Sequence, residues 1–235
     1  MPTPVDAVLF DLDDTLCRYR RSSAAVLEAA FERAGYDPLF DPTAYYDRYD
    51  DYLATSSSIG ELREQCFAEL AADAGFDRQA GVAVAAAFAE ERDQRAVDPL
   101  PGVPDVLQML TDDYRLGLVT NGDPAMQREK LAALELTDAF ETAVYAGYDT
   151  APKPDPEPFE VALEALETTS DRAVYVGNSL SSDVAGAQAA GMRSVWVPAS
   201  PDAVRESTPN QKPVRRLESL ADIHSVDWLS HDQSD

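Results

Sequence analysis

Lysine, cysteine and histidine are scarce in this chain of 235 residues, which holds three, two and two of them respectively. The two cysteines, Cys17 and Cys66, are too few for a disulfide framework and lack the clustering of a zinc site. The histidines, His224 and His231, both fall in the C-terminal tail, so neither a Ser-His-Asp triad nor a histidine-rich metal centre is supported. The chain also has no GxGxxG fingerprint and no P-loop, which argues against nucleotide-cofactor and Walker-type sites.

Long apolar runs are missing as well. No stretch approaches the ~20 consecutive apolar residues of a membrane-spanning helix, and the N-terminus shows neither the basic region nor the cleavage site of a secretory signal. Hydrophobic residues still make up 45% of the chain, which is enough for a real core and argues against global disorder. We expect a soluble, cytoplasmic protein with one domain, or with a core and a modest insert. The sequence does not indicate the oligomeric state.

Positive charge is scarce, because 19 basic and 43 acidic side chains leave a formal net charge of −24. The acidic residues are spread along the chain and form no acidic arm. An anionic surface repels nucleic acid and anionic lipid, so we expect neither nucleic acid nor membrane as a partner. A composition rich in Asp and poor in Lys resembles that of proteins from salt-loving archaea, where molar salt screens the self-repulsion. An ordinary acidic protein is the alternative interpretation.

Apolar runs alternate with turn signals over much of the chain, and this alternation predicts an α/β fold. Helical patterns alone fill the stretch between the first two strands. We therefore expect a Rossmann-like, doubly wound parallel sheet core from residues 1–17 and 98–235, with residues 18–97 as an inserted helical domain. The tail from Ser200 is weakly periodic and is expected to be partly loose at its end. The predicted strands are Val5–Phe10, Tyr114–Val119, Ala143–Ala146, Ala173–Val176 and Ser194–Val197. The predicted helices are Ser22–Ala34, Pro42–Ala54, Ile59–Ala74, Arg78–Ala96, Val103–Leu110, Pro124–Leu134, Pro156–Leu166 and Ser181–Ala190.

Polar clusters follow several of these strands, at the edge where open α/β sheets bind ligands. Any one cluster is as easily a helix cap or a turn, but their joint position predicts a site. The clusters are Asp11-Leu-Asp13-Asp14-Thr15 after the first strand, Thr120 and Asn121 at the end of the second, Lys153 before helix Pro156–Leu166, and Asn178 with Asp183 after the fourth.

The combination resembles the haloacid dehalogenase-like superfamily, whose largest class is aspartate-nucleophile phosphatases. The Asp-x-Asp-x-Thr motif of that family is matched by Asp11–Thr15, its threonine by Thr120, its lysine by Lys153 in APKPDPEPF, and its acidic loop in part by VGNSLSSDVAGA. The helical insert lies where the family has its first-type cap, a domain that covers the active site.

The resemblance implies a mechanism for these residues. Asp11 would attack phosphorus and form an aspartyl-phosphate, while Asp13 would protonate the leaving oxygen and then deprotonate the attacking water. Lys153 would offset the negative charge and keep Asp11 ionised. The implied phosphate contacts are Thr15, which also braces its loop, with Thr120, Asn121 and Lys153. The cofactor would be Mg²⁺, with Asp11, the Asp13 carbonyl, Asn178 and Asp183 as candidate ligands.

Asn178 departs from the family, which commonly has an aspartate there. An amide oxygen still binds Mg²⁺, but it adds no negative charge. The departure keeps open a 2-haloacid dehalogenase that uses Asp11 without metal, although Asp13 suits a phosphate leaving group. A non-catalytic regulator that binds a phosphorylated ligand is a third possibility. The expected substrate is a small phosphorylated metabolite. Arg18, Arg20 and Arg21 could receive a second anionic group of it, but such residues more often are solvated or pack the core of the cap.

Overall fold

The computed structural model describes residues 3–53, 56, 58–200 and 213–226. His231 and Lys212 lie outside this part of the chain. The chain forms two compact units, one from Met1–Arg18 with Val97–Asp235 and the other from Tyr19–Ala96. Among the described residues, no helix has the length and apolar content needed to cross a membrane.

The first unit is built on a parallel sheet of six strands. Its spatial order, β5-β4-β1-β6-β7-β8, places β1 between β4 and β6 and confirms the predicted α/β fold. Strands β2 and β3 pair separately as a two-stranded sheet. The strands are β1 (Ala7–Phe10), β2 (Cys17–Tyr19), β3 (Val97–Pro99), β4 (Arg115–Asn121), β5 (Thr142–Ala146), β6 (Ala173–Gly177), β7 (Arg193–Trp196) and β8 (Arg215–Arg216).

The central strands read as continuous apolar runs because both faces of the sheet are covered. All residues of β1 and β6 are buried, as expected for a parallel sheet with helices on each side. In the register, Phe10 lies opposite Leu118 on one side and Val176 on the other. The carboxyl ends of the three central strands therefore reach one edge of the sheet together.

Helices connect the strands of this unit at the predicted places. The N-terminal cap of α6 shows the local reason: Asp123 accepts hydrogen bonds from the backbone N–H groups of Ala125 and Met126, and Pro124 fills the first turn. The predicted helix Ser181–Ala190 is in fact a π-helical turn, Leu180–Val184, followed by a short α-helix. The helices are α5 (Val103–Thr111), α6 (Pro124–Ala133), α7 (Glu157–Ala165) and α8 (Ala185–Ala189).

No element was predicted in the tail, but its described part adds β8 to the sheet and a 3₁₀ helix at Leu220–Ser225. The end of the tail, which was expected to be partly loose, lies outside the described residues. Leu217, Leu220 and Ile223 are buried. A few apolar anchors therefore dock a segment whose periodicity is too weak to predict an element.

The second unit is helical, with α1 (Ser23–Ala34), α2 (Pro42–Leu53), α3 (Ile59–Asp73) and α4 (Arg78–Glu91). Its centre is aromatic: the ring of Phe67 lies 5.0 Å from that of Tyr45 and 5.7 Å from that of Phe88. The prediction carried α4 on to Ala96, which was wrong. The helix ends at Glu91, because Arg92 leaves the helical conformation and Asp93 accepts a hydrogen bond from the N–H of Arg95 in a turn.

Candidate active site

Loops from the carboxyl edge of the six-stranded sheet bring the sequence-predicted side chains together. Asp11 directly follows β1, Thr120 is the last residue but one of β4, and Asn178 directly follows β6. Lys153 comes from the segment between β5 and α7. Because the central strands are parallel, their carboxyl ends and the residues that follow them share one edge, as the topology predicts.

A buried cation lies at the centre of the cluster. The Lys153 Nζ atom is 2.8 Å from the Asp11 carboxylate and 2.7 Å from that of Asp183. It also donates to the carbonyl oxygen of Val119 at 3.0 Å and to the Tyr175 hydroxyl at 2.9 Å. Four oxygens therefore surround one ammonium group, whose side chain is only 2% exposed.

Burial and the neighbouring opposite charges shift the pKa values of Asp11 and Lys153 in opposite directions. Burial raises the pKa of Asp11 to about 7, although Lys153 acts to lower it. Burial lowers the pKa of Lys153, but Asp11 and Asp183 outweigh burial and leave that pKa above its ordinary value. Burial also raises the pKa of Tyr175, so its hydroxyl stays neutral and donates to Val119. The lysine is thus a fixed cation that favours an ionised, buried Asp11.

Asp183 reaches this lysine because β6 ends in glycine. A Cβ atom at Gly177 would lie 2.5 Å from the Asp183 Cγ atom, so no other residue fits there without a shift. One oxygen of Asp183 accepts from Lys153, and the other accepts from the N–H of Ser179 at 2.8 Å. Both carboxylate oxygens of Asp183 are therefore already bound.

Asp13 lies two residues beyond Asp11 and has different partners. Lys130 Nζ lies 2.7 Å from both Asp13 carboxylate oxygens, and Gln127 Nε2 donates to one of them at 3.0 Å. The Asp13 side chain is 37% exposed, whereas that of Lys130 is 5% exposed. The two aspartates of the motif are thus held by separate lysines in unequal environments.

Thr15, Thr120 and Asn121 have mainly bracing contacts. Thr15 is fully buried, and the Thr120 hydroxyl accepts from Gln127 Nε2 at 2.9 Å. The Asn121 amide spans the main chain of Lys153: its oxygen accepts from the Lys153 N–H at 2.9 Å, and its nitrogen donates to the Lys153 carbonyl at 3.2 Å. Asn121 therefore fixes the backbone from which the lysine extends.

Three functional candidates were missed in the sequence, namely Gln127, Lys130 and Tyr175. Gln127 and Lys130 lie one turn apart on α6, and in the sequence they look like part of an ordinary solvent-exposed polar face. The rarity of lysine was the available signal, because Lys130 and Lys153 are both buried. Tyr175 sits inside a strand and reads as core, with no signal of its polar contacts.

Cys17, beside the motif, is a packing residue. It is buried, and burial raises the pKa of its thiol to about 12. The thiolate needed for reactivity is therefore suppressed.

The oxygens near Asp11 and Asn178 fit a hard cation. The Thr15 hydroxyl lies 3.2 Å from Asp11 Oδ2 and 3.3 Å from Asn178 Oδ1, but it carries a single proton and can donate to only one. An acceptor oxygen is left over, and the Asp13 carbonyl supplies another hard oxygen in the same loop. In the described part of the chain, no three His, Cys, Asp or Glu side chains form a metal cluster. The fitting donors are instead one carboxylate, one amide and one carbonyl.

Comparison with known proteins gives consistent matches. The family model for haloacid dehalogenase-like hydrolases matches residues 5–191. The phosphoserine phosphatase of Thermus thermophilus is 31% identical, over 94% of this chain and 99% of that protein. The glyceraldehyde 3-phosphate phosphatase of Pyrococcus abyssi is 29% identical, over 82% of this chain and 81% of that protein. The crystal structure of the Bacillus subtilis HAD-hydrolase YfnB bound to magnesium has a TM-score of 0.75 at 20% identity, covering 95% of this chain and 99% of that one.

Proposed function

We propose that this chain, a hydrolase of phosphate esters that belongs to the haloacid dehalogenase-like hydrolase family, is a Mg²⁺-dependent phosphatase for a small phosphorylated metabolite. The observation that carries the proposal is the pair Asp11 and Asp13. Asp11 is buried against Lys153, and Asp13 is more exposed and held by a different lysine. Two carboxyl groups in such unequal settings suit a nucleophile and an acid/base.

In the first step, Asp11 attacks phosphorus, a P–O bond forms to its carboxylate, and the bond to the leaving oxygen breaks. Asp13 gives that oxygen its proton. In the second step, Asp13 takes a proton from water, the water oxygen attacks phosphorus, and Asp11 is released with inorganic phosphate. The Lys153 ammonium keeps Asp11 ionised and offsets the charge of the phosphoryl group. Thr120 and the backbone near Asn121 bind the phosphoryl oxygens in this proposal.

Asp11, the Asp13 carbonyl and Asn178 would hold the Mg²⁺, which supplies positive charge to the phosphoryl oxygens when bound. Asp183 is the weaker candidate for a direct ligand, because its side chain is only 2% exposed and is held by Lys153 and the Ser179 N–H. We therefore assign Asp183 to orient Lys153. The magnesium in the structure of YfnB supports the choice of metal.

The helical unit Tyr19–Ala96 interrupts the chain directly after the Asp11–Thr15 loop, and we infer that it is the cap. A capped site favours small substrates over phosphoproteins, because the cap must close on them. Tyr45 packs in the aromatic core of this unit, and Arg21 pairs with Glu91 at 3.0 Å. The ring contact favours a packing role for Tyr45, and the ion pair favours a solvated surface role for Arg21 over a role in binding a second anion.

The charge of −24 supports a further proposal, that the protein works in a salt-rich cytoplasm such as that of a halophilic archaeon. In each described ion pair formed by an arginine, that side chain is at least 36% exposed, whereas both described lysines are buried. Screening at molar salt would relieve the repulsion among the acidic side chains.

The test is hydrolysis of p-nitrophenyl phosphate in molar KCl, with and without Mg²⁺, by the wild type, Asp11→Asn and Asp14→Asn. Asp14 is the matched control, because it is exposed, lies in the same loop, and has a left-handed backbone (φ 58°) that asparagine also adopts. We expect Mg²⁺-dependent turnover, its loss in Asp11→Asn, and near wild-type rates in Asp14→Asn. Acid quenching should trap a phosphorylated wild-type enzyme.

Two outcomes would refute the proposal. A tenth or more of the wild-type rate in Asp11→Asn, with deamidation excluded, would remove Asp11 as nucleophile. Release of halide from 2-haloacids while phosphate esters stay intact would establish the dehalogenase.

A further inference from the structure

The chain holds three lysines and sixteen arginines, and both lysines in its described part are buried beside an aspartate of the proposed active site. Lys153 contacts Asp11, and Lys130 contacts Asp13. Lys130 lies on helix α6, outside every motif that the sequence offers. Like Lys153 it is buried, whereas the arginines in the described ion pairs are exposed.

Two side chains of α6 jointly bind the carboxylate of Asp13. Lys130 Nζ lies 2.7 Å from each carboxylate oxygen, and Gln127 Nε2 lies 3.0 Å from Oδ2. Gln127 and Lys130 are three residues apart, so they share one face of the helix. The Gln127 Nε2 atom also lies 2.9 Å from the Thr120 hydroxyl. Three donor contacts therefore fix both oxygens of a side chain that is otherwise 37% exposed.

The backbone makes room for this arrangement at Gly122, which follows β4. Its φ is 144°, and a Cβ atom there would lie 2.8 Å from the Gln127 Nε2 atom. A side chain at this position would push the amide away from Asp13. Gly122 thus keeps open the space through which Gln127 reaches Asp13.

The arrangement carries a cost to stability. Gln127 is 2% exposed and Lys130 is 4% exposed, and the Gln127 Oε1 atom has no hydrogen-bond partner among the described residues. Burying a charge or an unpaired carbonyl is unfavourable. Apolar side chains at both positions would pack α6 without these losses. Costly polar groups of this kind are retained at functional sites.

We propose that Lys130 and Gln127 are positioning residues that hold the Asp13 carboxyl group in the orientation from which it exchanges protons. The inference rests on the proposed function. Asp13 gives a proton to the leaving oxygen as the ester bond breaks, and it takes one from water as the aspartyl-phosphate is hydrolysed. Lys130 and Gln127 touch neither the phosphoryl group nor the leaving oxygen in these steps and act only through Asp13.

This role makes a prediction that depends on the leaving group. An alkoxide needs a proton in order to leave, whereas 2,4-dinitrophenolate leaves without one. The value of kcat/KM reports formation of the aspartyl-phosphate, so a misplaced Asp13 lowers it for an alkyl ester and spares it for the dinitrophenyl ester. Hydrolysis of the aspartyl-phosphate needs Asp13 for every substrate, so kcat falls even for the dinitrophenyl ester, and KM falls with it.

The experiment compares 2,4-dinitrophenyl phosphate with the better of two alkyl esters, glycerol 3-phosphate or O-phosphoserine, in the wild type, Lys130→Met, Lys130→Arg and Gln127→Leu. Arg128→Met is the matched control, because it removes the same charge from an exposed position on the same helix. General acid catalysis contributes about 10²–10⁴-fold. We therefore expect Lys130→Met to lower kcat/KM for the alkyl ester by about tenfold or more, and for the dinitrophenyl ester by about threefold or less.

Further readouts support the same conclusion. Lys130→Met should accumulate phosphorylated enzyme with the dinitrophenyl ester, and Lys130→Arg and Gln127→Leu should fall between it and the wild type. Arg128→Met should match the wild type on both esters. If Lys130→Met does not fold, the two milder variants carry the test through the same ratio of kcat/KM values.

An equal loss on both esters, or no loss on either, would overturn the positioning role while leaving the phosphatase proposal intact. A folded wild type that hydrolyses neither class of ester would overturn both. The two failures are therefore distinguishable from the wild-type rates alone.

Discussion

Replacement of Lys153 by methionine tests the centre of the site most directly. Methionine is unbranched and nearly as long, so the change removes the charge with little change in shape. In the wild type, Lys153 Nζ lies 2.8 Å from the Asp11 carboxylate and 2.7 Å from that of Asp183. Both aspartates are buried, at 6% and 1% exposure. The variant leaves two buried carboxylates near each other without a cation.

The expected loss of stability is large. Breaking a buried ion pair by removing one partner costs about 3–5 kcal/mol, because a buried charge is left uncompensated. One lysine serves two carboxylates here, which favours the upper part of this range. For a chain of this size, each kcal/mol lowers Tm by about 2–4 °C, so Tm should fall by roughly 6–20 °C.

The loss should grow with pH. Burial raises the pKa of Asp11 from 3.8 to about 7 even with Lys153 present, and removal of the lysine takes away the main influence that lowers it. A carboxyl group whose pKa is raised by folding contributes stability that is fully present below its unfolded pKa and lost as pH rises through the folded pKa. In the wild type that window runs from 3.8 to about 7, and in the variant it extends higher. The destabilisation should therefore be greater at pH 8.5 than at pH 6.

Thermal unfolding in 2 M KCl, followed by circular dichroism at both pH values, measures these differences. The double variant Lys153→Met/Asp183→Asn should recover part of the loss, because only one carboxylate is left unpaired. Lys130→Met is the matched comparison and should lose less, since its partner Asp13 is 37% exposed and can be solvated. A change below about 1 kcal/mol, or an equal change at pH 6 and pH 8.5, would refute the reasoning, since a buried pair is worth more than an exposed one.

The remaining predictions concern salt and metal. From dilute buffer to molar KCl, Tm and activity should both rise, because the Debye length falls from more than about 10 Å to about 3 Å and screens the acidic surface; a flat or falling Tm would contradict the salt-rich setting. Asn178→Asp should lower the Mg²⁺ concentration for half-maximal activity several-fold, because it adds a charged ligand. Asp183→Asn should reduce activity and Tm through Lys153 without moving that concentration. Identical Mg²⁺ titrations for the wild type and Asn178→Asp would remove Asn178 from the proposed metal site.

The main strands and helices could be predicted because each carries a local sequence signal, either an apolar pattern or a capping residue. The strands β1, β4 and β6 are apolar runs bounded by polar turns, and α6 begins at an aspartate followed by proline. Where that signal is absent, the prediction fails. Strand β8 is two exposed arginines at the sheet edge, with no apolar alternation to mark it. The turn of π-helix at Leu180–Val184 carries the same apolar spacing as an α-helix.

Some residues of the site could likewise be predicted from the sequence and others could not. Asp11 and Lys153 could be assigned to one edge of the sheet, because each lies just beyond a strand or just before a helix that the pattern marks. Asp183 could be assigned there because it lies in the first turn of a helix predicted to follow the fourth strand. Lys130 and Gln127 could not be assigned to the site, because they lie inside helix α6 and the sequence does not show what that face of the helix packs against. Only the packing of α6 against the Asp11–Thr15 loop turns that face toward Asp13.

The sequence by itself determined the charge of the molecule, the order of five strands of the main sheet with the helices between them, and the presence of two aspartates at the end of the first strand. These follow from composition and from local periodicity, which act over a few residues. The tertiary structure alone decided that Lys153 joins Asp11 to Asp183, and that Lys130 binds Asp13, across separations of 142, 30 and 117 residues. Such pairings depend on which loops converge at the sheet edge and on how each helix is rotated about its axis, and no local pattern records either.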